Sequence, residues 1–393
     1  METADLSTSR FWEGDENHIA VNPQRASDAD GLAGFAQTKL AARGWCFFQT
    51  SGSEGSPKWV GLTKEAFLIS ARAVNTFFDT TPADRWLVAL PLHHVGGFAI
   101  HARCFVSGAG HATMSGKWEA RAFAEACADG SITLASLVPT QLFDLVRDRI
   151  TAPSSVRAVI VGGGSLSPDL RTRALEFGWP VCASYGMTEA ASQIATQSTD
   201  GYAHAAPEAM EVLPHWETSS GADEVLVIRG PALAKGFAVR DGRGAWSWQA
   251  IDESAGLRTR DRVRLWQHGT RRYLQFIGRE SAFIKICGEL VNRDALQQRL
   301  DALAREMNFT EKAVLVPVPD SRRETVLIMV FERGKSVPEA RAKLVESYNS
   351  ASRPFERVLT ARELEEMPVS DLGKHPVADL AAKLTSVAAA RPG

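Results

Sequence analysis

Four apolar runs in the middle of the chain constrain the fold more than any other feature. They lie in "DRWLVALPL", "SITLASLVPT", "SVRAVIVGGGSL" and "WPVCASYGMTE", each bounded by glycine, proline or polar residues, and they read as buried strands. Stretches with helical character alternate with them: "TKEAFLISARAVNTFF", "EARAFAEACADG", "TQLFDLVRDRI" and "SPDLRTRALEFG". In the last of these, Ser167 is placed to cap the helix, Pro168 occupies the first helical position and Gly178 closes the end. Strands alternating with helices predict an α/β class with a mainly parallel sheet.

The texture changes after about residue 210. "DEVLVIRG", "RDRVRLWQHG" and "RRYLQFIGRE" are short strands with polar turns and predict a β-rich subdomain. From Arg279 a third texture begins. "NRDALQQRLDALAREMN" is a helix with leucines at 296, 300 and 303, "KAVLVPVPD" and "TVLIMVFERG" are strands, and "PEARAKLVESYNSAS" is a second helix. The expected organisation is a large domain over 1–278 and a small α+β domain over 279–393, with the tail "AAKLTSVAAARPG" fraying. A chain of 393 residues has room for two or three domains at roughly 150 residues each.

A net charge of −2 supplies no global attraction to nucleic acid or anionic membrane, so phosphate chemistry has to come from local sites. The five cysteines are odd in number and form no CxxC pair, which argues against a disulfide framework or a structural zinc site and fits a reducing cytoplasm. The start "METADLSTSRFWEGDENH" lacks the features of a signal peptide, and no apolar run approaches the ~18 residues of a membrane span.

Five stretches carry candidate chemistry. "FFQTSGSEGSPKWVGLT" sets Ser51, Gly52, Ser53, Gly55 and Ser56 ahead of Lys58, a loop able to wrap a phosphate or simply to turn at the surface. "PLHHVGGF" pairs His93 and His94 before Gly96 and Gly97; a third metal ligand is not suggested nearby, and a pocket-lining histidine is the simpler reading. "VGGGSL" leaves bare peptide faces at Gly163 and Gly164 for a flat ring, or is only a tight turn. "SYGMTEAASQIAT" packs Tyr185, Gly186, Thr188 and Glu189 together after a strand. There an aromatic, a hydroxyl and a carboxylate suit a base, a phosphate and Mg²⁺, and the alternative is a helix start capped by Thr188. "MPVSDLGKHP" puts Lys374 after Gly373, by itself an ordinary solvated lysine.

In this order the stretches resemble the adenylate-forming superfamily of acyl- and aryl-CoA ligases. The first resembles its phosphate loop T-S-G-S/T-T/E-G-x-P-K, and "SYGMTE" its Y-G-x-T-E motif. "LRTRDRVRL" resembles its T-G-D strand, with Asp261 in the aspartate position. "IGRESAFIKICGE" resembles the hinge segment and "PVSDLGK" the closing G-K motif. A P-loop kinase is excluded, because G-x-x-x-x-G-K-S/T needs its lysine directly after glycine, and Lys58 follows Ser56 and Pro57. "VPTQL" and "GMTEAASQI" resemble the o-succinylbenzoate–CoA ligases of menaquinone synthesis within that superfamily. The alternatives are a fatty acyl-CoA or acyl-ACP ligase and a non-catalytic nucleotide-binding relative.

The resemblance implies a two-domain fold with a mobile small domain and a shortened N-terminus. Its substrates would be ATP, CoA and a small-molecule carboxylate, with Mg²⁺ as cofactor, and the class also allows a homodimer. It places Thr50, Ser51, Gly52, Ser53, Gly55 and Lys58 on the β- and γ-phosphates. Gly163, Gly164, Ser165, Tyr185 and Gly186 would frame adenine, Thr188 would touch the α-phosphate and Glu189 would hold the metal. Asp261 would accept the ribose hydroxyls with Arg279 behind it, and Lys374 would bridge the attacking carboxylate and the α-phosphate. His94 would stand between the acyl pocket and the CoA tunnel, with Val95, Gly96, Gly97 and Ser192 lining the acyl group. A second substrate carboxylate would find Arg103 or Ser192. Three residues depart from the pattern: Glu54 for threonine, Arg260 for glycine, and Ser281 for the hinge aspartate or lysine.

Overall fold

The computed structural model describes residues 5–50, 58–199, 208–287, 289–320, 322–333, 337–368 and 377–389. Its contacts divide the chain into two compact units, residues 1–259 with 263–276, and residues 260–262 with 277–393.

In the first unit the four apolar runs form strands Arg85–Val88, Leu134–Leu137, Ala158–Val161 and Val181–Met187. These pair in parallel in that order, with Gly110–Thr113 added outside Arg85–Val88. Alternate side chains enter two separate cores. Trp86, Val88, Leu134, Ala158, Ile160 and Cys182 pack with Phe67, Val74, Phe98 and Ile100 from helices Lys64–Phe77 and Val95–Ser107. Leu87, Ala135, Leu137, Val159, Val161 and Val181 pack with Phe123, Leu142, Leu145 and Ala174 from helices Ala120–Asp129, Pro139–Arg147 and Pro168–Glu176. Helices on both faces explain why these strands read as unbroken apolar runs and do not alternate. Ser167 caps its helix as expected, its Oγ accepting from the Leu170 N–H at 3.2 Å, and Gly178 adopts a φ of +78°.

Helix Val95–Ser107 is not apparent in the sequence, where Gly96 and Gly97 fall in its first turn and each costs about 1 kcal/mol of helix propensity. Gly97 is there for space: a Cβ would lie 2.5 Å from the Leu90 carbonyl oxygen and 2.6 Å from that of Pro91.

The strands between residues 210 and 279 are distributed over two sheets. Val181–Met187 pairs antiparallel with Ser192–Thr196, and the sheet continues through Met210–Val212, Arg271–Arg279, Leu257–His268, Val225–Arg229 and Glu217–Ser220 to eleven strands. A second, five-stranded sheet joins His18–Ala20, Trp45–Thr50, Lys58–Thr63, Gly236–Arg240 and Trp246–Ala250.

In the second unit, hairpin Phe283–Ile286 and Glu289–Asn292 leads into helix Arg293–Glu306, whose start is capped by Asn292 Oδ1. Strands Ala313–Asp320, Glu324–Glu332 and Val358–Leu364 form its sheet, beside helix Pro338–Ser350. The tail expected to fray is helical as far as residue 389, and residues 390–393 lie outside the described residues. Val377–Ala389 is a helix, and Leu380 and Leu384 pack on Val314, Val316 and Val330. An apolar spacing of four residues gives this segment one face to bury, and burial against the sheet outweighs the entropy of ordering a terminus.

An ion pair between a buried carboxylate and an exposed guanidinium ties the loop before Arg85–Val88 to the loop before Ala158–Val161. Asp84 accepts from Arg157 Nε at 2.8 Å and Nη2 at 3.0 Å, from the Thr81 N–H at 2.9 Å and from Thr133 Oγ1 at 2.7 Å. Burial by itself would raise the Asp84 pKa, but the bonds from Arg157, Thr81 and Thr133 outweigh it and hold the carboxyl at about 2. The folded value lies below the unfolded one, so this stabilisation is fully present above about pH 4 and is lost as pH falls toward 2, a contribution that solvent screening at the exposed Arg157 reduces to about 1 kcal/mol. Urea unfolding of the wild type and Asp84→Asn should therefore differ most at neutral pH and converge near pH 2. A gap that does not change with pH would refute the assignment.

Candidate nucleotide and acyl site

Four of the five candidate stretches lie wholly or partly in the first unit, three of them partly within its sheets. Strands Trp45–Thr50 and Lys58–Thr63 pair antiparallel with Thr50 opposite Lys58, and Thr50 Oγ1 donates to the Lys58 carbonyl at 3.4 Å. Lys58 Nζ lies 5.7 Å from the centre of the Phe237 ring. Ser51, Gly52, Ser53, Glu54 and Gly55 lie outside the described residues.

The other three stretches follow the carboxyl ends of parallel strands of one sheet. His94 comes after Arg85–Val88, Gly163–Ser165 after Ala158–Val161, and Gly186–Glu189 ends and follows Val181–Met187. In open α/β sheets this edge is where ligands bind, because the loops there are free to diverge over a rigid base. Gly163, Gly164 and Ser165 are exposed, and Gly163 has a φ of +72°. Tyr185, buried in the adjacent strand, stacks its ring on Phe276 at 5.8 Å and 27°. The glycines thus offer uncovered peptide faces beside a fixed aromatic ring.

Thr188 and Glu189 do not begin an α-helix. Thr188–Ala190 is a single 3-10 turn preceded by Met187, and Thr188 does not cap it. The chain then reverses through two residues of positive φ, Ala191 at +49° and Ser192 at +114°. Gly186 permits the reversal, since a Cβ there would sit 1.7 Å from the Ser192 carbonyl oxygen. Ala234 N–H donates to the Glu189 carbonyl at 2.8 Å and pins the turn. Both Thr188 and Glu189 are half-buried. A single carboxylate suits Mg²⁺, which keeps several waters and takes its remaining ligands from substrate phosphates. Among the described residues no group of three or more His, Cys, Asp or Glu is arranged to hold a metal.

His94 precedes helix Val95–Ser107 in extended backbone, its ring 4.5 Å from that of His93. Val95 and Gly96 are half-buried and Gly97 is buried in the first turn. Two turns on, the same helix carries Arg103, 2% exposed. Its Nη2 donates to Gln193 Oε1 at 2.8 Å and approaches Ser192 Oγ at 3.5 Å. Its guanidinium carbon lies 5.1 Å from the centre of the Trp86 ring. Nε and Nη1 are buried without a partner among the described residues, and no carboxylate there forms an ion pair with it. Burial pulls the guanidinium down to about 10, so it remains charged at neutral pH. Trp86 was not evident as a site residue, and Gln193 was expected only as the end of the segment Gly186–Gln193 lying against the aryl group, with no role of its own. The one available signal for Gln193 is an amide in the otherwise small and apolar strand Ser192–Thr196.

In the second unit Asp261 is 5% exposed and accepts from Arg279 Nε at 3.1 Å. The pair expected at the ribose is thus assembled within that unit. Lys374 lies outside the described residues.

Residues 23–237, more than half of the chain, match the AMP-binding enzyme family, and the chain belongs to it. The fold is that of the adenylate-forming ligases. Among curated relatives, the 2-succinylbenzoate–CoA ligase of Salmonella typhimurium is 32% identical over 271 residues, 69% of this chain and 54% of that protein. The 2-succinylbenzoate–CoA ligase of Bacillus subtilis is 33% identical over 151 residues, 38% of this chain and 31% of that one. The chain spans about half the length of the curated relatives matched over most of it. Among solved structures, a variant of E. coli MenE with bound OSB-AMS superposes with a TM-score of 0.66 at 26% identity, covering 86% of this chain and 68% of that one. ATP-bound MatB from Rhodopseudomonas palustris reaches 0.72 at 19% identity over 87% and 68%, a likeness of fold alone.

Proposed function

We propose that the chain is an AMP-forming acid–thiol ligase that adenylates an aryl dicarboxylate, o-succinylbenzoate, and transfers it to CoA. The observation that carries this reading is Arg103. A buried guanidinium with two unmet donors is costly unless an anion arrives to meet it. A fatty acyl chain brings no acceptor to that position, whereas the second carboxylate of an aryl dicarboxylate does. The activity by which the matched relatives are named supports the same choice.

One substrate carboxylate attacks the α-phosphorus of ATP, and pyrophosphate leaves with the P–O electron pair. The CoA thiol then attacks the acyl carbon, loses its proton and expels AMP. Thr50, Ser51, Gly52, Ser53, Gly55 and Lys58 neutralise the triphosphate, and Gly163, Gly164, Ser165, Tyr185 and Gly186 hold adenine. Thr188 donates to the α-phosphate, and Asp261, oriented by Arg279, accepts from the ribose diol. Glu189 holds Mg²⁺, which supplies charge compensation when bound. Val95, Gly96, Gly97 and Ser192 line the aryl group, and His94 stands at its mouth. Residues 1–278 bind ATP and acid, residues 279–393 act as the lid, and the working compartment is the cytoplasm. No helix among the described residues is long and apolar enough to cross a membrane.

Pyrophosphate release from ATP across o-succinylbenzoate, benzoate and laurate tests the reading. The dicarboxylate should give the highest kcat/KM and exceed benzoate by roughly 10- to 100-fold, the worth of one buried charged hydrogen bond. The highest value with laurate and none with o-succinylbenzoate would refute it.

A further inference from the structure

We propose that Gln193 is a positioning residue for the acyl subsite. It orients the Arg103 guanidinium without neutralising it, and thereby sets selectivity for doubly charged acids. The inference rests on the reading of Arg103 as the anchor of the second carboxylate.

The geometry is directional. Arginine can only donate, so the Gln193 amide must turn its oxygen toward Arg103 and its nitrogen away. That nitrogen, Nε2, donates to Ser184 Oγ at 3.0 Å. The Gln193 main chain is held as well, its carbonyl accepting from Trp216 Nε1 at 3.0 Å. Gln193 is 3% exposed and Trp216 is fully buried, so water does not compete for these bonds. On the far side the Trp86 ring, also fully buried, backs the guanidinium at 5.1 Å. Arg103 is therefore held between an aromatic ring and an amide, with Nε and Nη1 left over.

The choice of amide over carboxylate is the chemical core of the inference. A glutamate at 193 would make a shorter, stronger bond to Arg103 but would cancel the charge that a substrate carboxylate needs. A neutral acceptor fixes the orientation and leaves the full positive charge for the ligand. The strained backbone immediately before it has the same consequence. Ser192, at a φ of +114°, brings Gln193 into the strand directly opposite Gly186, while its own Oγ stays 3.5 Å from Arg103. Strain of this kind persists where the surrounding structure over-determines it, commonly at ligand sites.

The test compares Gln193→Glu, Gln193→Met, Arg103→Met and the double variant Arg103→Met/Gln193→Glu. The readouts are the ratio of kcat/KM for o-succinylbenzoate over benzoate, the KM for ATP and, independently of turnover, the calorimetric Kd of o-succinylbenzoate. Gln193→Glu is isosteric and still pairs with Arg103, so it should melt at or above the wild-type temperature. It should nevertheless lower the selectivity ratio and weaken o-succinylbenzoate binding by roughly 10- to 100-fold. Gln193→Met should lower both by a smaller factor, through lost orientation alone. The KM for ATP should stay unchanged in both. In the Arg103→Met background, Gln193→Glu should have no further effect on selectivity, because Gln193 acts through Arg103. If Arg103→Met keeps wild-type selectivity, the anchor reading itself fails. If Arg103→Met abolishes selectivity while Gln193→Glu leaves it intact, Arg103 stands and the positioning role of Gln193 is refuted. A uniform fall in all parameters for Gln193→Glu would make Gln193 a purely structural residue and would also refute it.

Discussion

Lys374→Ala is expected to reduce pyrophosphate release by at least 100- to 1,000-fold, roughly the cost of deleting one preorganised donor at a developing charge, while sparing the second half-reaction. The reason is electrostatic. In the first step a carboxylate must approach an α-phosphate that is itself anionic, and two like charges within bonding distance need a cation between them. The proposed mechanism assigns that cation to Lys374 of the closing G-K motif, in which no other lysine or arginine occurs. In the second step the attacking group is a thiol and the acyl carbon is already activated, so the same cation is not needed. One cavity cannot hold both the lysine and an incoming thiol chain, which makes gating by a mobile lid the economical arrangement. Supplied with preformed acyl-adenylate, the variant should make thioester at near the wild-type rate. Gly288, in the hinge-like stretch "IGRESAFIKICGE", is expected to line the thiol's path in the second step, so Gly288→Leu should do the converse, sparing adenylation and blocking the approach of the thiol. Pyrophosphate release and chromatography of the CoA product follow the steps separately. Equal loss of both steps in Lys374→Ala, with an intact fold by circular dichroism, would end the assignment of this lysine to adenylation alone.

Gly186→Ala is expected to remove activity through backbone geometry with no change of charge. A single methyl would have to occupy a point 1.7 Å from the Ser192 carbonyl oxygen, 2.7 Å from its carbon and 3.0 Å from Gln193 Cα. All three are backbone atoms, so no side chain can swing aside. The reversal between Tyr185 and Gln193 would have to open. Opening it displaces Thr188 and Glu189, and with them the acceptor that holds Arg103. Destabilisation of about 3 kcal/mol or more follows from overpacking of this severity, a large share of a typical stability of about 5–15 kcal/mol. Gly34→Ala is the matched control: it lies inside helix Leu32–Thr38 with nothing within 4 Å of the added carbon, and should be neutral or slightly stabilising. Thermal melting and pyrophosphate release read both variants. Gly186→Ala melting within about 1 kcal/mol of the wild type with full activity would refute the close approach.

The parts of this protein legible in one dimension are those whose physics is local. A strand covered on both faces must be apolar at every position, so Ala158–Val161 and Leu134–Leu137 announce themselves without alternation. A serine cap, a proline at the first turn and a closing glycine mark helix Pro168–Glu176, because caps act over three or four residues. The nucleotide motifs are likewise contiguous: a phosphate loop or a Y-G-x-T-E turn is one stretch of backbone, and its residues need no distant partner to be recognised. The family could therefore be named from short stretches alone.

What tertiary structure decided lies across long separations. Arg103 and Gln193 meet across 90 residues, and no spacing rule connects a helix position to a strand position at that distance. Helix Val95–Ser107 forms against the propensity of Gly96 and Gly97, because Gly97 lets its first turn pack on the carbonyls of Leu90 and Pro91. Five strands between residues 210 and 279 extend the main sheet because backbone donors at its edge needed partners, a demand that composition does not express. The tail becomes a helix for a similar reason: Leu380 and Leu384 find Val314 and Val316 only once the second sheet exists. Local propensity chose the elements, and long-range burial and hydrogen-bond satisfaction chose which of them meet.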